Sequence, residues 1–268
     1  MAAQTVRIVE QRLVPALLIS VLLLVSSCLS SGRNSGSGNI RLEEPAFSSS
    51  DNIIEHSGYT VCYNDRLLIP NWVAWELTSE ESEGRFPRSQ GFEADPEWRG
   101  MQADDRDYRG SGWTRGHMAP AGDMKWSEQA MLESFYLTNV CPQDAGLNDG
   151  SWNWVEKKCR NLARAYGKVW ICCGPIVNPD SHETIGTGGV AVPESFFKVI
   201  LYKSSEGYQA IGFVFRNSSD SQSAGKSCMS VDEVERKTGL DFFPSLKDDV
   251  EDRVEADFDW NALASCGR

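Results

Sequence analysis

Short runs of β-branched and aromatic residues, broken by turn residues and interspersed with capped helices, make up the chain from Tyr59 onward. Tyr59-Thr-Val-Cys-Tyr63 and Asn71-Trp-Val-Ala-Trp-Glu-Leu77 flank the turn residues Asn64 and Asp65, which predicts two antiparallel strands. Phe135-Tyr-Leu-Thr-Asn-Val140 reads as a further strand, and Val169-Trp-Ile-Cys-Cys173 as a buried one stopped by Gly174 and Pro175. Phe196 to Tyr202 and Tyr208 to Phe215 predict a hairpin that turns at Lys203 to Gly207. Helix signals lie between the strands. Ser127 caps a short helix running to Ser134, Asn148 to Tyr166 reads as a helix closed by Gly167, and Ser230 opens another that closes at Gly239. Strands and helices in separate blocks predict an α+β fold, a single domain with a mainly antiparallel sheet core.

The first 28 residues follow a different pattern. Arg7 and Arg12 precede an apolar run, Leu13 to Val25, that is short for a membrane span, and Val25-Ser26-Ser27-Cys28 resembles a bacterial lipobox. This predicts a lipoprotein-type signal peptide over 1–28 with a lipid-bearing Cys28, a Ser/Gly-rich flexible tether over 29–52, and a folded domain over 53–268. The expected location is the cell envelope or surface, with the membrane as partner through the lipid anchor; a secreted or periplasmic protein is the alternative. Beyond Cys28, seven cysteines remain, an odd number. In an oxidising compartment some would pair, and Cys228 with Cys266 is the favoured bridge because both lie outside the core strands. Cys172 and Cys173 should point to opposite faces of their strand.

A net charge of −12 speaks mildly against a polyanion as partner. The charge is unevenly spread, however. Acids concentrate in 76–107 and 248–259, whereas Arg109, Arg115, Lys125, Lys157, Lys158, Arg160, Arg164 and Lys168 lie between Tyr108 and Lys168. A local positive cleft is compatible with that distribution.

The densest chemistry lies in that basic region. Trp113-Thr-Arg-Gly-His117-Met-Ala-Pro120 puts one of three histidines beside an arginine. A neutral imidazole can take a proton from attacking water, and an arginine can hold a phosphate. Asn148, Trp152, Glu156 and Arg160 recur every four residues and so trace one face of the predicted helix. An asparagine oxygen at its start suits a hard cation, Glu156 can hold metal-bound water, and Arg160 can meet a phosphate. An ordinary Glu156 to Arg160 surface pair is the competing reading. His56 and His182 lack such company, Gly186-Thr-Gly-Gly-Val190 lacks the lysine of a phosphate loop, and neither GxSxG nor HExxH occurs.

Thr114-Arg-Gly-His117, Asn139-Val-Cys-Pro-Gln143 and Asn148-x-Gly-x-Trp152-x-x-x-Glu156 together resemble the signatures of the DNA/RNA non-specific endonucleases of the ββα-metal, or His-Me finger, superfamily. The resemblance covers most of 59–243 and implies a ββα-metal finger within the sheet domain. It implies a magnesium-dependent, sugar-non-specific endonuclease hydrolysing phosphodiester bonds in DNA and RNA, with Mn²⁺ or another divalent cation as the alternative cofactor. The catalytic set it implies is His117 as general base with Arg115, Asn139, Glu156 and Arg160; Arg88 and Gln143 would bind substrate, Asn148 the metal. Thr114 stands where the family carries aspartate, so a carboxylate near the site is replaced by a hydroxyl, and altered turnover is expected. The alternative functions are a phosphodiesterase acting on small nucleotides or other phosphate esters, and a non-catalytic lipoprotein binding module.

Overall fold

The computed structural model describes residues 40–89, 91–178, 180–220 and 223–267. The segment predicted as a signal peptide with Cys28, and the first part of the predicted tether, lie outside the described residues. What is described of the tether is packed: Leu42 is buried, Arg41 donates to Thr60 Oγ1 at 2.7 Å, and the Ala46 N–H donates to the Asp241 carbonyl at 2.8 Å.

The strands among the described residues are β1 (Ile53–Glu55), β2 (Thr60–Asn64), β3 (Ile69–Thr78), β4 (Thr114–His117), β5 (Val140–Gln143), β6 (Lys168–Ile176), β7 (Thr184–Ile185), β8 (Val190–Ala191), β9 (Ser195–Ser204), β10 (Gly207–Arg216) and β11 (Cys228–Met229). The helices are α1 (Asp105–Tyr108), α2 (Glu128–Glu133), α3 (Ala145–Leu147), α4 (Asn153–Tyr166), α5 (Ala224–Ser227), α6 (Val231–Thr238), α7 (Asp248–Ala256) and α8 (Trp260–Ser265). Seven strands form one sheet in the order β1-β2-β3-β6-β9-β10-β11, antiparallel at every pairing. The expected α+β class with an antiparallel core is what the chain adopts.

Both faces of this sheet are covered, which explains the near-continuous apolar runs in β3, β6 and β9. Side chains alternate between two cores: Val73, Cys173, Ile200 and Ile211 face one, and Ala74, Cys172, Val199 and Ala210 the other. Cys172 and Cys173 are therefore on opposite faces, as the strand period requires. Val155, Cys159, Leu162 and Ala163 of α4 fill the first core; Val231, Val234 and Val254 of α6 and α7 fill the second. The long excursion between β3 and β6 builds β4, β5 and α4 on the first face, and this excursion carries the candidate site.

Several local expectations change. The predicted strand over Phe135 to Val140 is a 3₁₀ turn at Leu137–Asn139 that joins a strand only at Val140. Thr138 and Asn139 spend their side chains on Asp95 and on main chain instead of presenting a pleated face. The helix expected from Asn148 starts as a π turn, Asn148–Trp152, because Gly150 adopts φ −94°, ψ −110°, and becomes a regular α-helix at Asn153. It ends where expected: Gly167, at φ +87°, caps it in a region of backbone space that side chains resist. Gly174 and Pro175 do not stop β6, which runs on to Ile176. Pairing with β3 ends at Cys173, so the donor that Pro175 lacks is missing where β6 is paired with β9 alone. The Cys228 to Cys266 bridge does not form. All seven described cysteines are free thiols, and Cys228 donates to the Gly225 carbonyl at 3.4 Å.

Candidate active site

The site is assembled from the β4–β5 hairpin and α4. In the hairpin Thr114 faces Gln143, Arg115 Pro142, Gly116 Cys141 and His117 Val140. Gly116 is glycine of necessity, since a Cβ there would lie 2.3 Å from Gln143 Oε1. Trp152 anchors the start of α4 to the hairpin: it is fully buried and its Nε1 donates to the His117 carbonyl at 3.4 Å.

His117 is buried, with Phe135 edge-on at 4.9 Å and Phe92 tilted at 5.1 Å. Its Nε2 has no hydrogen-bond partner. Burial, reinforced by the positive charge of Arg88, pushes its pKa from 6.5 down to about 3. A neutral imidazole with an unshared ring nitrogen is a proton acceptor, which is the form general-base chemistry requires.

Thr114, three residues earlier on the same strand, donates its hydroxyl to the Gln143 carbonyl at 2.7 Å and accepts from Asn148 Nδ2 at 3.2 Å. These two bonds fix the amide of Asn148: its nitrogen faces Thr114, which leaves Oδ1 as its outward acceptor. The Asn148 N–H is itself held by the Asp144 carbonyl at 2.9 Å. The Thr114 hydroxyl thus joins the hairpin to the turn that carries Asn148.

Glu156, half-buried on α4, makes no hydrogen bond to a described protein group. Burial is the main cause that lifts its carboxyl from 4.5 to about 7; Lys198 offsets this most, Asp123 adds to it, and Arg160 and Arg88 offset it further. Arg160 is clamped by Asp123, which accepts from Arg160 Nη1 at 2.5 Å and from Trp75 Nε1 at 3.1 Å. Arg88 is exposed, its guanidinium 5.0 Å from the Phe135 ring, and its charge acts on both His117 and Glu156. His117, Arg88, Glu156, Arg160 and Asp123 therefore share one electrostatic neighbourhood, and Asn148 is tied to the His117 strand through Thr114.

Three expected site residues turn inward instead. Arg115 pairs with Asp105 Oδ1 at 2.6 Å, donates to the Asp105 carbonyl at 2.9 Å, and lies over Tyr108 and Phe92. It braces α1 against the hairpin. Asn139 is fully buried; its Nδ2 donates to the Ala119 and Ser134 carbonyls and its Oδ1 accepts from the Ala119 N–H. Its amide closes the turn after His117 and is out of reach of a substrate. Gln143, expected to bind substrate, is fully buried beneath Gly116, so it packs the hairpin.

Two residues of this neighbourhood escaped the sequence reading. Asp123 is fully buried and carries the clamp on Arg160; burial raises its pKa although Arg160 opposes the shift. Lys198 is fully buried on β9, its Nζ 4.2 Å from the Trp152 ring and 4.9 Å from that of Trp75, beside the Cys173 thiol. Its signal was available: a lone cation within the apolar run Phe196-Phe-Lys-Val-Ile-Leu201. His56, given no role, forms a buried pair with Asp95 at 3.0 Å that supports the loop.

Comparison with known proteins agrees with this geometry. The sequence profile of the DNA/RNA non-specific endonuclease family matches residues 37–249. The chain is 40% identical to the mitochondrial nuclease EXOG of Xenopus laevis over 73% of its length and 59% of that protein, and 34% identical to human mitochondrial endonuclease G over 70% and 68%. It spans about three fifths of the length of the EXOG relatives it matches. The solved structure of an EndoG/EndoGI complex, described as showing the mechanism of EndoG inhibition, superposes with a TM-score of 0.70 at 32% identity, covering 78% of this chain and 92% of the other.

Proposed function

The chain belongs to the DNA/RNA non-specific endonuclease family, and from that premise we propose that it is a magnesium-dependent endonuclease hydrolysing phosphodiester bonds in DNA and RNA. The observation that carries the reading is the neutral, buried His117 with its unshared Nε2, on the strand whose Thr114 fixes the Asn148 amide.

The donors fit a hard divalent cation. Asn148 Oδ1 and the carboxylate of Glu156 are oxygen ligands without competing protein partners, and a cation that keeps most of its water needs few of them. Asn148 would hold the cation directly and Glu156 would hold water on it; Mg²⁺ is the expected ion, Mn²⁺ the alternative. When bound, it neutralises charge on the phosphate. His117 takes the proton from the water that attacks phosphorus. Arg160, steadied by Asp123, turns its remaining donors to the charge that develops on the phosphate, and exposed Arg88 holds a neighbouring phosphate. Every contact is to the backbone, which carries no base identity, so the reaction is indifferent to sequence.

The reading extends to the N-terminus: Val25-Ser26-Ser27-Cys28 supports lipid attachment at Cys28 and delivery to a membrane surface. The names of the EXOG and endonuclease G relatives assign those proteins to mitochondria. The activity is tested by incubating pure protein with supercoiled plasmid and with single-stranded RNA, with and without Mg²⁺. Cleavage of both only with metal supports the reading; release of product from a nucleotide diester with plasmid left intact contradicts it.

A further inference from the structure

On the face of the sheet opposite the hairpin, α6 and α7 bring carboxylates together. Asp232 and Glu235, three residues apart on α6, share one side of that helix, and Glu255 approaches from the last turn of α7. One oxygen from each lies within 4.8 Å of the other two, the only such group of three His, Cys, Asp or Glu among the described residues. An acidic surface cluster would be unremarked, but Glu255 is not at the surface. It is only 7% exposed, and its Oε1 is buried without a hydrogen-bond partner.

The charges that act most strongly on the cluster are of one sign. The four charges acting most strongly on Glu255 are Glu235, Glu251, Asp241 and Asp232, all acidic; with burial as the leading cause they push its carboxyl to about 9. Arg236, on the same helix, turns its Nε to the Asp232 main-chain carbonyl at 3.1 Å. A buried carboxylate among carboxylates persists either by holding a proton or by sharing a cation. A proton can join only two of the three carboxyls, whereas all three converge. A cation uses the hidden lone pair and the convergence from two helices at once.

We propose that Asp232, Glu235 and Glu255 form a structural site for a calcium-class divalent cation that ties α6 to α7. The donors are oxygen only, and the number of carboxylates is below the six to eight ligands such an ion takes, so water completes the shell. Ca²⁺ tolerates such irregular geometry, whereas Mg²⁺ demands a near-ideal octahedron. The site is independent of the nuclease reading, because the helices that form it pack on the second core and the catalytic residues belong to the first.

The test is a Ca²⁺ titration of EDTA-stripped full-length protein at pH 7.5, read by thermal midpoint and by calorimetric stoichiometry. The expected result is a rise of about 2–4 °C at saturating Ca²⁺, and a smaller one with Mg²⁺. Asn148→Ala keeps the response, which separates it from the catalytic cation; Glu235→Gln and Glu255→Gln, isosteric changes, abolish it and leave basal nuclease activity unchanged. Two results overturn the proposal: a Ca²⁺ response undiminished in Glu235→Gln, or no Ca²⁺ response in the wild type; a higher midpoint of Glu255→Gln in EDTA then marks a glutamate that is only protonated.

Discussion

On the proposed mechanism, the pH dependence of cleavage is set by Glu156, and Lys198 controls where it falls. His117 is neutral above about 3 and contributes no change between pH 5 and 9. Glu156 titrates near 7, and only its ionised form can hold metal-bound water, so kcat/KM rises with pH through about 7. The sign for stability is opposite: the unfolded chain releases this proton from about 4.5, so in EDTA the folded state loses stability as pH climbs from 4.5 to about 7. Lys198 is the strongest of the charges that favour the Glu156 carboxylate. Lys198→Met keeps the length of the side chain between Trp75 and Trp152 and removes that charge, so the limb moves alkaline by roughly 1 pH unit. At pH 7 the ionised fraction then falls from about a half to about a tenth, a loss of roughly fivefold that vanishes by about pH 9. The assay is kcat/KM on a fluorescent oligonucleotide from pH 5 to 9 at fixed, low Mg²⁺, with circular dichroism to verify the fold. A wild-type limb below pH 5, or a folded Lys198→Met whose limb stays in place or moves acid, refutes the reasoning.

Asp123→Asn removes the charge that clamps Arg160 and leaves a half-buried guanidinium uncompensated; a stability loss of about 2–4 kcal/mol in denaturant titrations and a kcat lower by at least tenfold are expected. Thr114→Val deletes the acceptor that orients Asn148, so the Mg²⁺ concentration for half-maximal rate rises severalfold, whereas Thr114→Ser retains the wild-type requirement; equal requirements in both variants contradict the role assigned to the hydroxyl.

Periodic features of this fold were plain in the sequence. The paired strands from Ile69 and Ser195, the helix closed by Gly167 and the capped helix at Ser230 all follow from local pattern, because burial on both sheet faces and capping leave direct marks on composition. The failures share a cause. Phe135 to Val140 has the composition of a strand, but tertiary hydrogen bonds to Thr138 and Asn139 bend it into a turn. Gly150 uses its local freedom for dihedrals that set a π turn ahead of the helix, which the helical pattern does not mark. In the candidate site, His117, Asn148, Glu156 and Arg160 stand out in the sequence by their types and order, and the fold brings His117, Glu156 and Arg160 into one electrostatic neighbourhood. Which polar groups face inward was not legible, because Arg115, Asn139 and Gln143 look as reactive in sequence as the residues they support. Asp123 and Lys198 were missed for the converse reason: their effect is electrostatic and comes from burial.

The central claim is that His117 activates water for phosphodiester hydrolysis at a metal site held by Asn148. Its most direct measurement is the rate of Mg²⁺-dependent plasmid nicking at pH 8 for the wild type, His117→Ala and Asn148→Ala, each verified as folded. The account predicts a loss of at least a hundredfold for His117→Ala at every Mg²⁺ concentration, and for Asn148→Ala a loss that excess Mg²⁺ partly restores. Nicking by folded His117→Ala at near wild-type rate would contradict it.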